Sequence, residues 1–193
     1  MQKIILASSS PRRQELLANL GLYFSIISAA IDESILPHEH PRDAVRRLAR
    51  LKALDVASRV EGDALIIAAD TVVVLNGKIL GKPADQDDAY RMLSLLSGRC
   101  HEVITAVAIC SGEGKYEVED ETTRVYFRSL STDEIRAYLS CGESYDKAGA
   151  YGIQGRGGLL VEKIEGCYFN VVGLPLGRLY LMLKKHGIDL LGV

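Results

Sequence analysis

The sequence predicts an α/β fold in which a mixed β-sheet is flanked by helices. Three observations lead there. Segments of strand character alternate with segments of helical periodicity. Asn76-Gly77 sits between two apolar runs, the strongest short-range hairpin pattern. Two further runs, Glu102–Cys110 and Tyr116–Leu130, are joined by the turn residues Ser111-Gly112-Glu113-Gly114. Helical crossovers favour parallel strands and tight turns favour antiparallel ones, so a sheet containing both is mixed.

Each element has a local reason. Lys3–Ala7 is a short apolar strand running into Ser8-Ser9-Ser10. Pro11 then opens a helix that Gly21 closes, with serine at the cap position. Tyr23–Ala29 is expected as a second strand, leading to the acidic pair Asp32-Glu33. Pro41 starts a long helix to about Arg59, and Ala64–Leu75 is a buried strand turned by Asn76-Gly77 into Lys78–Leu80. Asp85–Leu96 is a helix ended by Gly98. Ser131 and Glu134 have capping-box spacing for a helix to Leu139. After the glycine-rich stretch Gly142–Gly158 come a strand pair near Leu159–Ile164 and Tyr168–Val172 and a last helix from Pro175 to His186.

A chain of 193 residues fits one domain, 1–193, and at this size folding buries roughly 70% of the unfolded surface, enough for a core without disulfides. Its 23 Lys and Arg against 25 Asp and Glu leave a net charge of −2, which excludes gripping nucleic acid through bulk charge. A local cationic pocket for a small anion stays open. Cys100, Cys110, Cys141 and Cys167 are too widely spaced for a zinc ribbon or a Cys-x-x-Cys pair, and are expected as reduced thiols in a cytoplasmic protein. Lys3 is followed by only four apolar residues before Ser8, too few for a signal-peptide core. The longest charge-free run, Leu16–Ile31, is interrupted by Asn19, Gly21, Ser25 and Ser28, so no membrane span is expected.

Four places break local rules, and such breaks concentrate at working sites. Arg12-Arg13 lies in the opening turn of a helix, where the partial positive charge disfavours cations by a few tenths of a kcal/mol. Either both side chains point into solvent, or the bare amides, serine hydroxyls and guanidinium groups together hold an anion such as phosphate. Lys52 falls in the apolar stripe Ala44, Val45, Leu48, Ala49, Leu51 and Val56, while Arg46, Arg47 and Arg50 face the other way as a solvated face. Lys52 either snorkels to the rim or meets an anion in a cleft. Asp70 interrupts a buried strand, where an ionised carboxylate is costly without a partner. It could cap a loop, bind a structural arginine, ligate a metal or act as general base. The fourth break is Asp146–Gly158, whose glycines permit positive φ and close approach to a ligand but match neither a Walker loop nor a dinucleotide fingerprint. His38-Glu39-His40 has no third ligand in register and is expected as an exposed loop; His101 and His186 carry no specific signal.

Taken together, these segments resemble the Maf family of nucleoside triphosphate pyrophosphatases. The resemblance is carried by Ala7-Ser-Ser-Ser-Pro-Arg-Arg13, Ala69-Asp-Thr-Val-Val73, Gly81-Lys-Pro83, Ser97-Gly98 with His101, Thr105-Ala-Val107, Asp146-Lys-Ala-Gly-Ala-Tyr-Gly-Ile-Gln-Gly155 and Val171-Val-Gly-Leu-Pro175, in order through nearly the whole chain. It implies a fold similar to inosine triphosphate pyrophosphatase, with an elongated mixed sheet and two lobes about a central cleft. It also implies a homodimer and a divalent cation, magnesium or manganese. The wording from Asp146 to Gly155 resembles the branch acting on dTTP and UTP, with modified pyrimidine nucleotides as further candidates; an enzyme of the same chemistry with another base preference, such as 7-methyl-GTP, is the close alternative. By the resemblance, Asp70 is the proton acceptor, Arg12, Thr71 and Gln154 are specificity positions, and Glu33, Lys52 and Lys82 complete the charged set. Ser9 and Arg13 are expected as substrate-binding residues, and Asp70 with Glu33 as the metal ligands. One departure is Gly142-Glu143-Ser144, where the family commonly has Pro third.

The chemistry suits those residue types. A triphosphate carries about four negative charges, and phosphoryl transfer is catalysed mainly by positioning and charge neutralisation. Arg13, Lys52 and Lys82 can hold phosphates, and Asp70, helped by Glu33, can hold the cation or deprotonate water attacking the α-phosphorus. Gln154 offers a donor and an acceptor that match the carbonyl and imide N–H of uracil or thymine. A nucleotide-sensing regulator of septum formation that binds without hydrolysing is the reading from another class; it would need no general base.

Overall fold

The computed structural model describes residues 2–111 and 114–192. Gly112 and Glu113, the centre of the expected turn after Ser111, lie outside the described residues. The strands are β1 Lys3–Leu6, β2 Ser25–Ile26, β3 Ala64–Leu75, β4 Lys78–Leu80, β5 Cys100–Ser111, β6 Tyr116–Phe127 and β7 Val161–Glu165. The helices are α1 Pro11–Asn19, α2 Pro41–Ala57, α3 Gln86–Leu96, α4 Thr132–Ser140, α5 Tyr168–Val172 and α6 Leu176–Lys185. The sheet runs β2-β1-β3-β5-β6-β7, with β4 paired to β3. β1 is parallel to both β2 and β3, whereas β3–β4 and β6–β7 are antiparallel, so the sheet is mixed as expected.

The local signals act as read. Asn76 and Gly77 both take positive φ, 50° and 76°, the conformation that a two-residue hairpin of matching twist requires. Ser131 and Glu134 form the reciprocal capping box of α4, and Asp85 caps α3 by accepting from the Asp88 N–H. Ser10 is the cap residue of α1 but its hydroxyl makes no capping bond; the Ser8 hydroxyl instead accepts from the Ser10 N–H at 3.2 Å.

Three expectations are corrected. The strand expected over Tyr23–Ala29 shrinks to Ser25–Ile26. The strand expected over Tyr116–Leu130 ends at Phe127. Tyr168–Val172 is helix rather than strand. A short apolar run has no period of its own, and tertiary bonds decide here. Asn170 is fully buried and donates to the Val103 carbonyl and the Thr123 hydroxyl, each at 2.9 Å, while Thr123 also binds the Cys167 backbone.

The chain divides into two compact units. The first comprises Met1–Asp70, Thr105–Glu121 and Gly173–Val193; the second comprises Thr71–Ile104 and Thr122–Val172. In the first, Ala44, Val45, Leu48, Ala49 and Val56 of the α2 stripe are buried, with Ala53 beside them, whereas Leu51 is only half-buried; Ile5 and Leu6 of β1 and Leu65–Ile67 of β3 are buried too. In the second, Leu93 and Leu96 of α3, Ile135 and Leu139 of α4, and Val125, Phe127 and Tyr151 form one core cluster. The four cysteines are free, and no helix among the described residues is long and apolar enough to cross a membrane.

Candidate functional site

The first unit gathers the acidic and basic residues that broke the local rules. Lys52 projects from the buried face of α2 and Asp70 from the last position of β3 within that unit; they are 8% and 7% exposed. Lys52 Nζ donates to Asp70 Oδ1 at 2.6 Å and to Glu33 Oε2 at 2.8 Å. The lysine therefore does not snorkel. It partners Asp70 inside a strand of alanine, isoleucine and valine, where a carboxylate without a partner is costly. Glu33, in the segment after β2, is mostly exposed and closes the triad from the solvent side.

Arg13 belongs to the same neighbourhood. Its Nε donates to the Gly173 carbonyl at 2.8 Å, which fixes the guanidinium at the start of α1. Burial pulls its pKa down; the Asp70 and Glu33 carboxylates oppose that shift, and Arg12 adds to it. Arg12 is half-buried, and Ser9 is exposed on the turn before α1. Pro11 has no N–H, Ser10 supplies no cap and the first turn holds no acid, so this helix start is open to an anion.

The second unit holds Thr71, half-buried and next along β3, and Lys82, exposed directly after β4. It also holds Gln154, half-buried before the 3-10 turn Gly155–Leu160. The glycine-rich segment is an ordered loop, not a linker. Gly149 N–H donates to the Gly81 carbonyl at 3.0 Å, beside Lys82, and Gly152 N–H donates to the Tyr138 hydroxyl at 3.2 Å. A Cβ on Gly157 would lie 1.8 Å from the Gly152 carbonyl oxygen, so the backbone closes on itself there and only glycine fits.

Sequence reasoning missed two arrangements. The outer face of α2 is not merely solvated. Arg42 and Arg46 both pair with buried Asp120 of β6, Arg42 at 2.7 Å, and Arg47 makes a two-pronged bond to Glu39 at 2.7 Å on each arm. No sequence signal singled out Asp120, which lies in the acidic run Glu119-Asp120-Glu121 and out of step with the buried positions Thr123, Val125 and Phe127. His38-Glu39-His40 is the exposed loop expected of it, with Glu39 engaged by Arg47 and His40 capping α2. The second is His101, which is buried and bonded to Tyr151 at 2.7 Å. It shares a strand face with Val103, so alternation along β5 already aimed it inward.

Glu33 and Asp70 are also the acids that could hold a cation. No group of three or more His, Cys, Asp or Glu suited to a metal occurs among the described residues. Two carboxylates form a hard-oxygen donor set too small to enclose an ion. That suits a magnesium-sized ion, which keeps waters and completes its shell with substrate phosphate oxygens.

Comparison with known proteins places this geometry in context. The chain is 58% identical over 187 residues, covering 96% of it and 98% of the relative, to a dTTP/UTP pyrophosphatase of Syntrophomonas wolfei. It is 52% identical over 192 residues, 99% and 100% of the two chains, to one of Pelotomaculum thermopropionicum. Among solved structures it is similar in fold to a HAM1 protein from Coxiella burnetii (TM-score 0.53, 14% identity, 96% of this chain and 100% of that one). The Ham1 protein of Staphylococcus aureus gives the same TM-score and coverage at 16% identity. The model of the Maf family, described as Maf-like protein, matches residues 3–186, nearly the whole sequence. This chain belongs to the Maf family.

Proposed function

We propose that this protein is a nucleoside triphosphate pyrophosphatase that hydrolyses dTTP and UTP to the monophosphate and pyrophosphate. The observation that carries the reading is the Lys52 ammonium held between Asp70 and Glu33, an acid–base triad in a chain more than half identical to dTTP/UTP pyrophosphatases. A sensor that only binds would need no general base.

The residues divide the work by chemistry. The open start of α1, with Ser9, Arg12 and Arg13, takes phosphate oxygens, and Lys82 adds a further cation. Asp70 Oδ1 is committed to Lys52, which leaves Oδ2 either to accept a proton or to ligate a cation. Water oxygen bonds to the α-phosphorus, its proton passes to Asp70, and the bond from the α-phosphorus to the bridging oxygen breaks. Pyrophosphate leaves with that electron pair. Arg13 and Lys52 stabilise the charge that gathers on the phosphoryl oxygens. A magnesium or manganese ion held by Glu33 and Asp70 would supply further neutralisation of phosphate charge. Gln154 pairs with the carbonyl and imide N–H of uracil or thymine, with Arg12 and Thr71 as the other specificity positions. A homodimer working in the cytoplasm completes the proposal.

The test is pyrophosphate release from a panel of canonical, methylated and modified nucleoside triphosphates, with and without magnesium. Release from dTTP and UTP above the purine nucleotides, dependent on the cation, is expected. Binding without release from any nucleotide would refute hydrolysis and favour a sensor.

A further inference from the structure

His101 and Tyr151 take no part in the chemistry above, yet the second unit is built around them. Both are almost fully buried, and His101 Nε2 lies 2.7 Å from the Tyr151 hydroxyl. Phe127 packs edge-on to both, with centroid distances of 5.0 Å to His101 and 4.7 Å to Tyr151. Burial lowers the His101 pKa to about 4, so the ring is neutral at physiological pH. A neutral ring has one N–H. His101 Nδ1 is buried with no hydrogen-bond partner. If Nε2 carried the proton, both the Nδ1 lone pair and the Tyr151 O–H would go unused. With the proton on Nδ1, Tyr151 donates to Nε2 and a single buried group is left over. The second tautomer therefore prevails, and it still leaves one orphaned donor, costing on the order of 1–3 kcal/mol.

A second cost falls on the same segment. Ala150 is fully buried at φ 60°, a left-handed conformation that disfavours any residue with a Cβ by about 1–2 kcal/mol. It turns the chain so that Tyr151 enters the core in extended conformation. Apolar rings at positions 101 and 151 together would avoid the orphaned donor while keeping the aromatic packing. Both costs serve one outcome, a fixed depth and rotation for Tyr151. The bonds from Gly149 to Gly81 and from Gly152 to Tyr138 bracket Tyr151, and Gln154 follows three residues on, where its side chain is half-buried.

We propose that the His101–Tyr151 hydrogen bond is the pin that sets the backbone carrying Gln154, which makes His101 and Tyr151 positioning residues for pyrimidine-base selection. The inference rests on the reading of Gln154 as the group that pairs with the base. Paired hydrogen bonds discriminate only when donor and acceptor are held within about 0.5 Å of their productive places. A tyrosine free to slide along its apolar neighbours would not hold Gln154 to that tolerance.

The deciding experiment compares the double variant His101→Phe/Tyr151→Phe with Gln154→Ala. Pyrophosphate release from dTTP, CTP and GTP is measured alongside thermal midpoints. Replacing both partners by apolar rings of similar shape removes the hydrogen bond and the orphaned donor together, so a purely structural pair can be lost at little cost. Pinning predicts a folded double variant whose dTTP/GTP and dTTP/CTP ratios of kcat/KM fall about tenfold. The loss should come through a raised KM for dTTP with kcat held within about twofold, as for an interaction made equally in ground and transition states. Unchanged ratios beside a collapse in Gln154→Ala would overturn the pin and leave the base-reading role of Gln154 standing. Unchanged ratios in Gln154→Ala would overturn both. Should the double variant not fold, Tyr151→Phe, which removes one oxygen atom, decides the matter by the same ratios.

Discussion

Replacing Lys52 by methionine isolates what holds Asp70 in a buried strand. The substitution keeps an unbranched apolar stem of similar reach, so packing against the α2 stripe survives while the charge is lost. Lys52 and Asp70 side chains are 9% and 10% exposed and 2.6 Å apart, whereas Glu33 is 56% exposed. Removing one partner of a buried pair costs about 3–5 kcal/mol because the other charge is stranded. The exposed arm to Glu33 adds no more than about 1 kcal/mol. A loss near 3 kcal/mol is expected for Lys52→Met, or a thermal midpoint lowered by roughly 6–12 °C in a chain of this size. The assay is a double-mutant cycle of Lys52→Met, Asp70→Asn and the pair, followed by thermal and chemical denaturation. With both charges gone nothing remains stranded, so the double variant should recover about 2 kcal/mol relative to the sum of the singles. Additivity within about 0.5 kcal/mol would refute the reasoning, since independent sites behave that way.

Three further outcomes follow from the same structure. Asp70→Asn should bind dTTP in isothermal titration yet lose about 100-fold or more in pyrophosphate release, within the range typical of general-base catalysis; turnover at the original rate would remove Asp70 from the chemistry. Ser144 is fully buried with its hydroxyl unpartnered, at the position where the family commonly has Pro. Ser144→Ala should therefore stabilise by about 1 kcal/mol, read as a midpoint raised by a few degrees. The folded His101 ring titrates near pH 4 against 6.5 unfolded, so between those values the unfolded chain binds the extra proton. Stability should then fall by on the order of 3 kcal/mol as pH drops from about 6.5 to 4. His101→Phe should flatten that part of the denaturation profile, and an unchanged slope would contradict a buried neutral histidine.

What could be read from the chain alone was whatever local geometry decides. Asn76-Gly77, the Ser131/Glu134 capping box and the Pro11 start of α1 need only their own neighbours, and each stands in the structure as expected. Lys52 and Asp70 were visible as conflicts, a cation on an apolar stripe and an anion in an apolar strand. Their partnership was not, because nothing local brings α2 to that place on β3. Tyr168–Val172 went the other way: side-chain bonds from Asn170 to Val103 and Thr123, far off in sequence, select helix for a segment with no period to show. Arg46 looked solvated for the same reason, since its partner Asp120 arrives from a distant strand.

The central claim is attack of water on the α-phosphorus of a pyrimidine triphosphate, and the fate of the water oxygen tests it most directly. The measurement is hydrolysis of dTTP in oxygen-18 water with magnesium, with mass spectrometry of both products. The account predicts one heavy oxygen in dTMP and none in pyrophosphate. Heavy oxygen in pyrophosphate, or products that are dTDP and orthophosphate, would contradict it.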